Sequence, residues 1–297
     1  MAIPESQLET WSHQGSITQS KETYATIKAA LESPKALYAD KSFEVCLQGS
    51  YGNDSNIYAE SDVDTVIRLD SIMRGDVSKL PLDQQAAYHL ANGTASYTFG
   101  EFKQGVVTRL STAFGSDSVP GNKAIKIKAS GSRRNADVVP CYLYRRYTRF
   151  ISNSNCDYVE GIIFPTSLSG EIINFPKIHS QNLTKKHQAT NHWFKPMVRI
   201  FKNMRCKLVD DGAIGKGIAP SYFIEGLLYN VPIEKFTGNC QEIVLNILRW
   251  LYQTNDRTNF VCANEQYYLL RDDSMVCWPI ANGDQFIKAV IALWNNW

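Results

Sequence analysis

Asp62 and Asp64 stand at the head of a β-branched run, Val63 to Leu69, that reads as a strand. Side chains two apart on a strand leave the same face, so the two carboxylates lie together. Carboxylates held in that way repel each other unless a cation sits between them. Hard oxygen ligands suit Mg²⁺, which takes one or two carboxylates and completes its shell with water and phosphate oxygens. Just upstream runs Gln48-Gly49-Ser50-Tyr51-Gly52-Asn53-Asp54-Ser55. Gly49 lets the backbone approach a phosphate closely, and Ser50 offers a hydroxyl and an N–H. A lone Asp-x-Asp occurs about once by chance in a chain of this size; a Gly-Ser just before it lowers that expectation about two-hundredfold. The combination describes a site for a nucleoside triphosphate with Mg²⁺.

A second metal needs a third carboxylate close by. Residues 123–129 (KAIKIKA) alternate polar and apolar as a half-buried strand does. Residues 131–135 make a turn, and 136–144 (ADVVPCYLY) read as the returning antiparallel strand. Asp137 is placed to join Asp62 and Asp64 if this hairpin pairs beside the first strand.

Around this core the chain divides in character. Residues 21–33 read as a helix, 43–48 as a buried strand, and 82–114 as mainly helical. Beyond about residue 190 the periodicity is helical. Phe194, Met197, Val198, Phe201, Met204 and Leu208 form one apolar stripe, with further helices expected near 220–230, 238–254 and 283–296. The fold class is thus α+β, with a mixed sheet in residues 1–185 and a helical lobe in 186–297.

Lys+Arg exceeds Asp+Glu by only two in 297 residues, so no global basic field draws in nucleic acid. Lys126, Lys128, Arg133, Arg134, Arg145, Arg146 and Arg149 flank the third-acid hairpin. The near-zero net charge favours substrate phosphate and water as their partners. No apolar run reaches the roughly 20 residues of a membrane helix, and the first 16 residues lack a signal peptide's pattern. The seven cysteines form no Cys-x-x-Cys and no zinc-ligand spacing, as in a cytoplasmic protein with reduced thiols. His179, His187 and His192 are expected to be structural or surface residues, because Mg²⁺ prefers oxygen.

The stretch GSYGNDSNIYAESDVDTVIRL resembles the signature of the DNA polymerase β-like nucleotidyltransferases. More narrowly it resembles the bacterial CD-NTases, relatives of cyclic GMP–AMP synthase that make cyclic oligonucleotide signals in antiphage defence. The likeness runs from about residue 43 to about 232. Asp137 occupies the place of the third acid, and Asn174 to His179 and Ala219 to Glu225 look like further family segments. It implies a bilobed enzyme with a polymerase β-like palm and a C-terminal helical lobe, substrates lying between them. Two Mg²⁺ ions, with Mn²⁺ as a substitute, are implied at Asp62, Asp64 and Asp137. Lys202 and Ser221 match residues that reach the triphosphate, and Tyr222 matches a tyrosine that stacks on a base. Each role suits its chemistry: a point charge, a small hydroxyl and a flat π-face. Lys195, Arg199 and Lys202 share one polar face of the 192–208 helix. Asn174 is the candidate to read a base edge, with Asn182 as the alternative.

The implied reaction is attack of one nucleotide's ribose hydroxyl on the α-phosphate of another NTP, with release of pyrophosphate, repeated to close a cyclic di- or trinucleotide. ATP, GTP, UTP and CTP are all candidate substrates. A downstream effector sensing the product is the expected partner, and neither a membrane nor a stable nucleic-acid partner is expected. The zinc-binding insertion of the animal DNA sensor is lacking, and a monomer is expected. The rivals are transfer of nucleotides to RNA or protein and a non-catalytic NTP-binding module. The terminal ALWNNW differs from the small-residue tails of relatives that are conjugated through that end.

Overall fold

In the computed structural model, every residue is described except 1, 16, 60, 61, 94, 167–169 and 275. The order of elements is α1 (Glu5–Ser12), α2 (Thr18–Leu31), β1 (Phe43–Leu47), α3 (Gly49–Gly52), β2 (Val63–Asp76), α4 (Leu82–Ala91), α5 (Phe99–Phe114), β3 (Ser118–Pro120) and β4 (Ile125–Ile127). It continues with β5 (Ala136–Ser152), β6 (Asn155–Thr166), β7 (Gly170–Asn174), α6 (Pro176–Ala189), α7 (Phe194–Asp210), α8 (Ser221–Tyr229), α9 (Cys240–Gln253) and α10 (Ile280–Asn295). The chain forms two units: a sheet unit of Thr18–Gln48 and Asp62–Pro176, and a helical unit of Met1–Ile17, Gly49–Ser61 and Lys177–Trp297. The 185/186 division read from the sequence falls inside α6.

The sheet unit is a mixed sheet in the order β1-β2-β5-β4-β3, with β6 pairing β5 and β7 pairing β6. β2 runs parallel to β5, and β4 returns antiparallel on the other side of β5, as the alternating pattern and the turn predict. Beyond Tyr142, β6 takes over that second side. Val63, Thr65, Ile67 and Leu69 alternate along one face of β2 and are buried. The three apolar ones join Ile27, Leu31, Phe102, Val106 and Leu110 of α2 and α5 in one core. Asp64, Val66 and Arg68 therefore point to the opposite face.

The mainly helical stretch expected over 82–114 holds two helices, α4 and α5. The break ends at Thr98, whose hydroxyl accepts from the Glu101 N–H while Glu101 returns a bond to the Thr98 N–H, a capping box that starts a new helix. The strand expected over 123–129 is paired only over Ile125–Ile127. β5 runs on to Ser152 because β6 supplies it with a partner that local periodicity does not reveal.

The helical unit packs α1, α7, α8, α9 and α10 around Phe201, Met204, Phe223, Leu227, Ile247, Leu251 and Phe286. α9 starts at a second capping box, Asn239 with Glu242. The Glu5 carboxylate accepts from the N–H groups of Cys240 and Gln241, both at 2.7 Å, so the first amides of α9 are satisfied. No helix among the described residues is long and apolar enough to cross a membrane, and all seven cysteines are free thiols.

Candidate active site

In the sheet unit, Asp64 pairs in register with Asp137 on the parallel neighbour, and Asp137 pairs with Lys126 on the antiparallel one. Residues aligned across a sheet share a face, so Asp64, Asp137 and Lys126 form one row. The next rows on that face are Cys46–Val66–Val139 and Glu44–Arg68–Cys141. There the Arg68 guanidinium binds Glu44 at 2.9 Å, Asp70 at 2.5 Å and Glu160 at 3.2 Å. The acid row is thus the polar end of a face whose next row is apolar. Burial raises the Asp137 carboxyl above the usual range, Lys126 pulls it back in part, and the charge of Asp62 pushes it up again. Asp62 is exposed one residue ahead of β2. Among the described residues no three His, Cys, Asp or Glu side chains converge tightly enough to hold an ion. The register pairing of Asp64 with Asp137 and the repulsion at Asp137 nevertheless fit a hard divalent cation, which takes one or two carboxylates and fills its shell with water and phosphate.

Four of the seven basic residues around the hairpin have partners within this unit. Arg133 binds Asp117 at 2.6 Å, Arg149 binds Asp157 at 2.6 Å, Arg146 lies 3.6 Å from Asp76, and Arg145 sits 4.2 Å over the Tyr158 ring. Lys126 and Lys128 are exposed. Asn174 ends β7, where its side-chain oxygen accepts from the Phe175 N–H at 2.8 Å.

In the helical unit, Gly49 has φ 70°, a left-handed conformation that costs a residue with a Cβ about 1–2 kcal/mol. It opens the four-residue turn α3, which carries Ser50. The Ser55 N–H donates to the Ser50 carbonyl at 2.8 Å and closes the loop. α7 holds this loop with the row that the sequence places on one face. Lys195 binds the Asp54 carboxylate at 2.9 Å, and Arg199 donates to the Asp54 carbonyl at 2.6 Å. Lys202 donates to the Ser55 carbonyl at 3.1 Å and to its hydroxyl at 3.0 Å. Lys195 is 8% exposed and Lys202 0%, so this row is no solvated face. The third donor of Lys202 goes to Glu225, 3.1 Å away, and its ammonium faces protein rather than solvent.

Ser221 opens α8 as its first residue, behind Pro220 at the cap position. Tyr222 stacks on His179 at 4.7 Å between centroids and on Trp278 at 5.8 Å, and its hydroxyl accepts from the Asn264 amide at 2.9 Å. Asn182 lies one turn beyond His179 on α6 and donates to the Ala263 carbonyl at 2.8 Å, beside Asn264. Asn182 therefore belongs to the surroundings of Tyr222. Of the sequence candidates, Asp62, Asp64, Asp137 and Asn174 sit in the sheet unit, and Gly49, Ser50, Lys202, Ser221 and Tyr222 in the helical unit. The sequence reading missed Asp54, Ser55 and Glu225. Glu225 had a signal: it is the one charged residue in the apolar helix SYFIEGLLY.

His187 joins α6 to α7 by accepting from the Lys195 N–H at 3.3 Å. Burial first, then Lys195, His192 and Arg199, push its imidazole down from 6.5 to about 4, against the pull of Asp54. Between those values the unfolded chain binds a proton that the folded chain refuses. Stability therefore falls as pH drops from 6.5 towards 4. Urea unfolding at several pH values should show this loss, and His187→Gln should flatten it. An unchanged slope in the variant would contradict the assignment.

Residues 181–295 match the family model of the cGAS/DncV-like nucleotidyltransferase C-terminal helical domain. Over its whole length the chain is 38% identical to a cyclic nucleotide synthase of Staphylococcus haemolyticus, covering 100% of that protein. It is 37% identical to a cyclic UMP–AMP synthase of Rhodothermus marinus over 100% of this chain and 99% of the relative. The solved structure of the Rhodothermus marinus enzyme with two nucleotide analogues superposes with a TM-score of 0.89 at 36% identity, over 99% of this chain and 97% of that one. A cyclic dinucleotide synthase of Elizabethkingia meningoseptica, solved with GTP and an analogue, gives 0.77 at 30% identity over 99% and 98%.

Proposed function

From the premise that this chain belongs to the cGAS/DncV-like nucleotidyltransferases, we propose that the Asp64–Asp137 row, with Asp62, is where it joins nucleotides. The chain is a nucleotidyltransferase that makes a cyclic oligonucleotide from NTPs with release of pyrophosphate, and an antiphage signalling role is consistent with its family. The observation that most supports this reading is the register pairing of Asp64 with Asp137.

Asp62, Asp64 and Asp137 would hold two Mg²⁺ ions, or Mn²⁺ in their place. Divalent cations so held supply Lewis-acid charge for the attacking ribose hydroxyl and for the departing pyrophosphate. Gly49 and Ser50 would hold phosphate through a turn whose left-handed glycine leaves room for close approach. Ser221 would add its hydroxyl at the start of α8. Lys202 would act behind them, fixing Ser55 rather than touching phosphate, because its three donors already have partners. Tyr222 would be the stacking platform for a base. The product would diffuse to a downstream effector that reads it.

Asn182, beside that platform, is the better-placed reader of base identity. Among the described residues no donor reaches its side-chain oxygen, whereas that of Asn174 is bonded to the next residue. The relatives differ in product, one being a cyclic UMP–AMP synthase and the Elizabethkingia meningoseptica one a cyclic dipurine nucleotide synthase, so base choice varies among such chains.

The test is pyrophosphate release from a mixture of the four NTPs with Mg²⁺ and no added RNA or protein acceptor. Release is expected, and Asn182→Ala should change which NTPs are consumed while release continues. No release without an added acceptor would contradict the reading and favour transfer to RNA or protein.

A further inference from the structure

Glu225 is the hub of a buried polar cluster that the reaction as described does not use. Its carboxylate is 2% exposed, in a helix whose neighbouring residues are apolar. One oxygen accepts from the Ser55 hydroxyl and from Lys202 at 3.1 Å. The other accepts from Asn53 at 3.3 Å and faces the His179 ring nitrogen Nε2 at 2.8 Å. Burial alone would raise this carboxyl, but Lys202, His179 and Ser55 outweigh it and hold it well below the usual range. Packed apolar side chains would serve a core at least as well as a buried ion pair, so stability alone gives little reason for this cluster. What distinguishes it is where its arms end. One runs from Glu225 through the Ser55 hydroxyl, and the Ser55 N–H binds the Ser50 carbonyl. The other runs through His179, whose ring lies on Tyr222 at 4.7 Å with 17° between planes.

We propose that Glu225 is a positioning residue for nucleotide binding, setting the Gly49–Ser50 turn through Ser55 and the Tyr222 ring through His179. This rests on the reading that the turn holds phosphate and that Tyr222 holds a base. The arms are separable, since one acts on phosphate and the other on the base.

Inorganic tripolyphosphate, used as a competitive inhibitor, reads the phosphate arm alone, whereas the KM for NTP reads both. Ser55→Ala removes the hydroxyl that carries the first arm, leaving the longer Asn53 contact at 3.3 Å between Glu225 and this loop, and keeps Lys202 paired to Glu225. It should raise the tripolyphosphate Ki and the NTP KM together by about tenfold, the scale of one hydrogen bond to a charged group. kcat should stay within about threefold, because the loss is of binding shared by ground and transition states. Ser55→Thr, which keeps the hydroxyl, should restore both values. Glu225→Gln should act like Ser55→Ala and weaken the base arm as well. His179→Ala should raise the NTP KM and leave the tripolyphosphate Ki unchanged.

The inference is overturned if Ser50→Ala raises the Ki while Ser55→Ala does not, because the turn would then hold phosphate without the hub. It is overturned also if Ser55→Ala lowers kcat at unchanged KM. If Ser50→Ala itself leaves the Ki unchanged, the phosphate reading of the turn fails first, and the inference falls with it.

Discussion

Asp64→Asn should lower pyrophosphate release by at least about a thousandfold while the chain still unfolds in the same cooperative transition. The size follows from the role: charge stabilisation by a bound divalent cation supplies several kcal/mol to the transition state, and each 1.36 kcal/mol is about tenfold in rate. The fold survives because Asp64 points away from the apolar face that α2 and α5 cover. Asp137→Asn should be equally inactive and at least as stable. Its carboxyl is already pushed up by burial and by Asp62, so a neutral amide relieves a strain rather than adding one. Either variant retaining a tenth of the wild-type rate would remove its residue from the site.

The second large effect is on stability. Glu225→Leu leaves the fully buried Lys202 ammonium without its counter-charge, which costs about 3–5 kcal/mol. For a unit of this size that lowers the melting temperature by roughly 10 °C. Adding Lys202→Met removes the stranded charge and should return most of the loss, even though the bonds of both residues to Ser55, and those of Glu225 to Asn53 and His179, are then missing as well. The pH profile has a definite sign. The folded carboxyl lies below its ordinary value of 4.5, so its contribution is fully present above pH 4.5 and is lost as pH falls through the folded value. Thermal melts of the wild type, the single and the double variant check this. A double variant no more stable than Glu225→Leu alone would show that the cluster is not a balanced ion pair.

The acidic row was legible because it rests on a period of two. Asp62 and Asp64 announce one face of β2, and the alternation at 123–129 with its turn announces the hairpin that brings up Asp137. β6 and β7 were not legible. The run NCDYVEGIIFPT starts with exposed polar residues and becomes a strand by pairing along the far half of β5. α6 was hidden for another reason. Of its three buried residues two are polar, His179 and Asn182, so it carries no apolar stripe to find. The basic row of α7 was visible, but its partners were not. Asp54 and Ser55 lie more than 140 residues away, and only the folded helical unit joins them to Lys195 and Lys202.

The most direct measurement is the mass of what the full chain makes from the four NTPs with Mg²⁺ after phosphatase treatment. The predicted result is a phosphatase-resistant cyclic di- or trinucleotide, formed by the wild type and absent when Asp62→Asn and Asp64→Asn are combined. Linear products alone, or a cyclic product that persists in the double variant, would contradict the account.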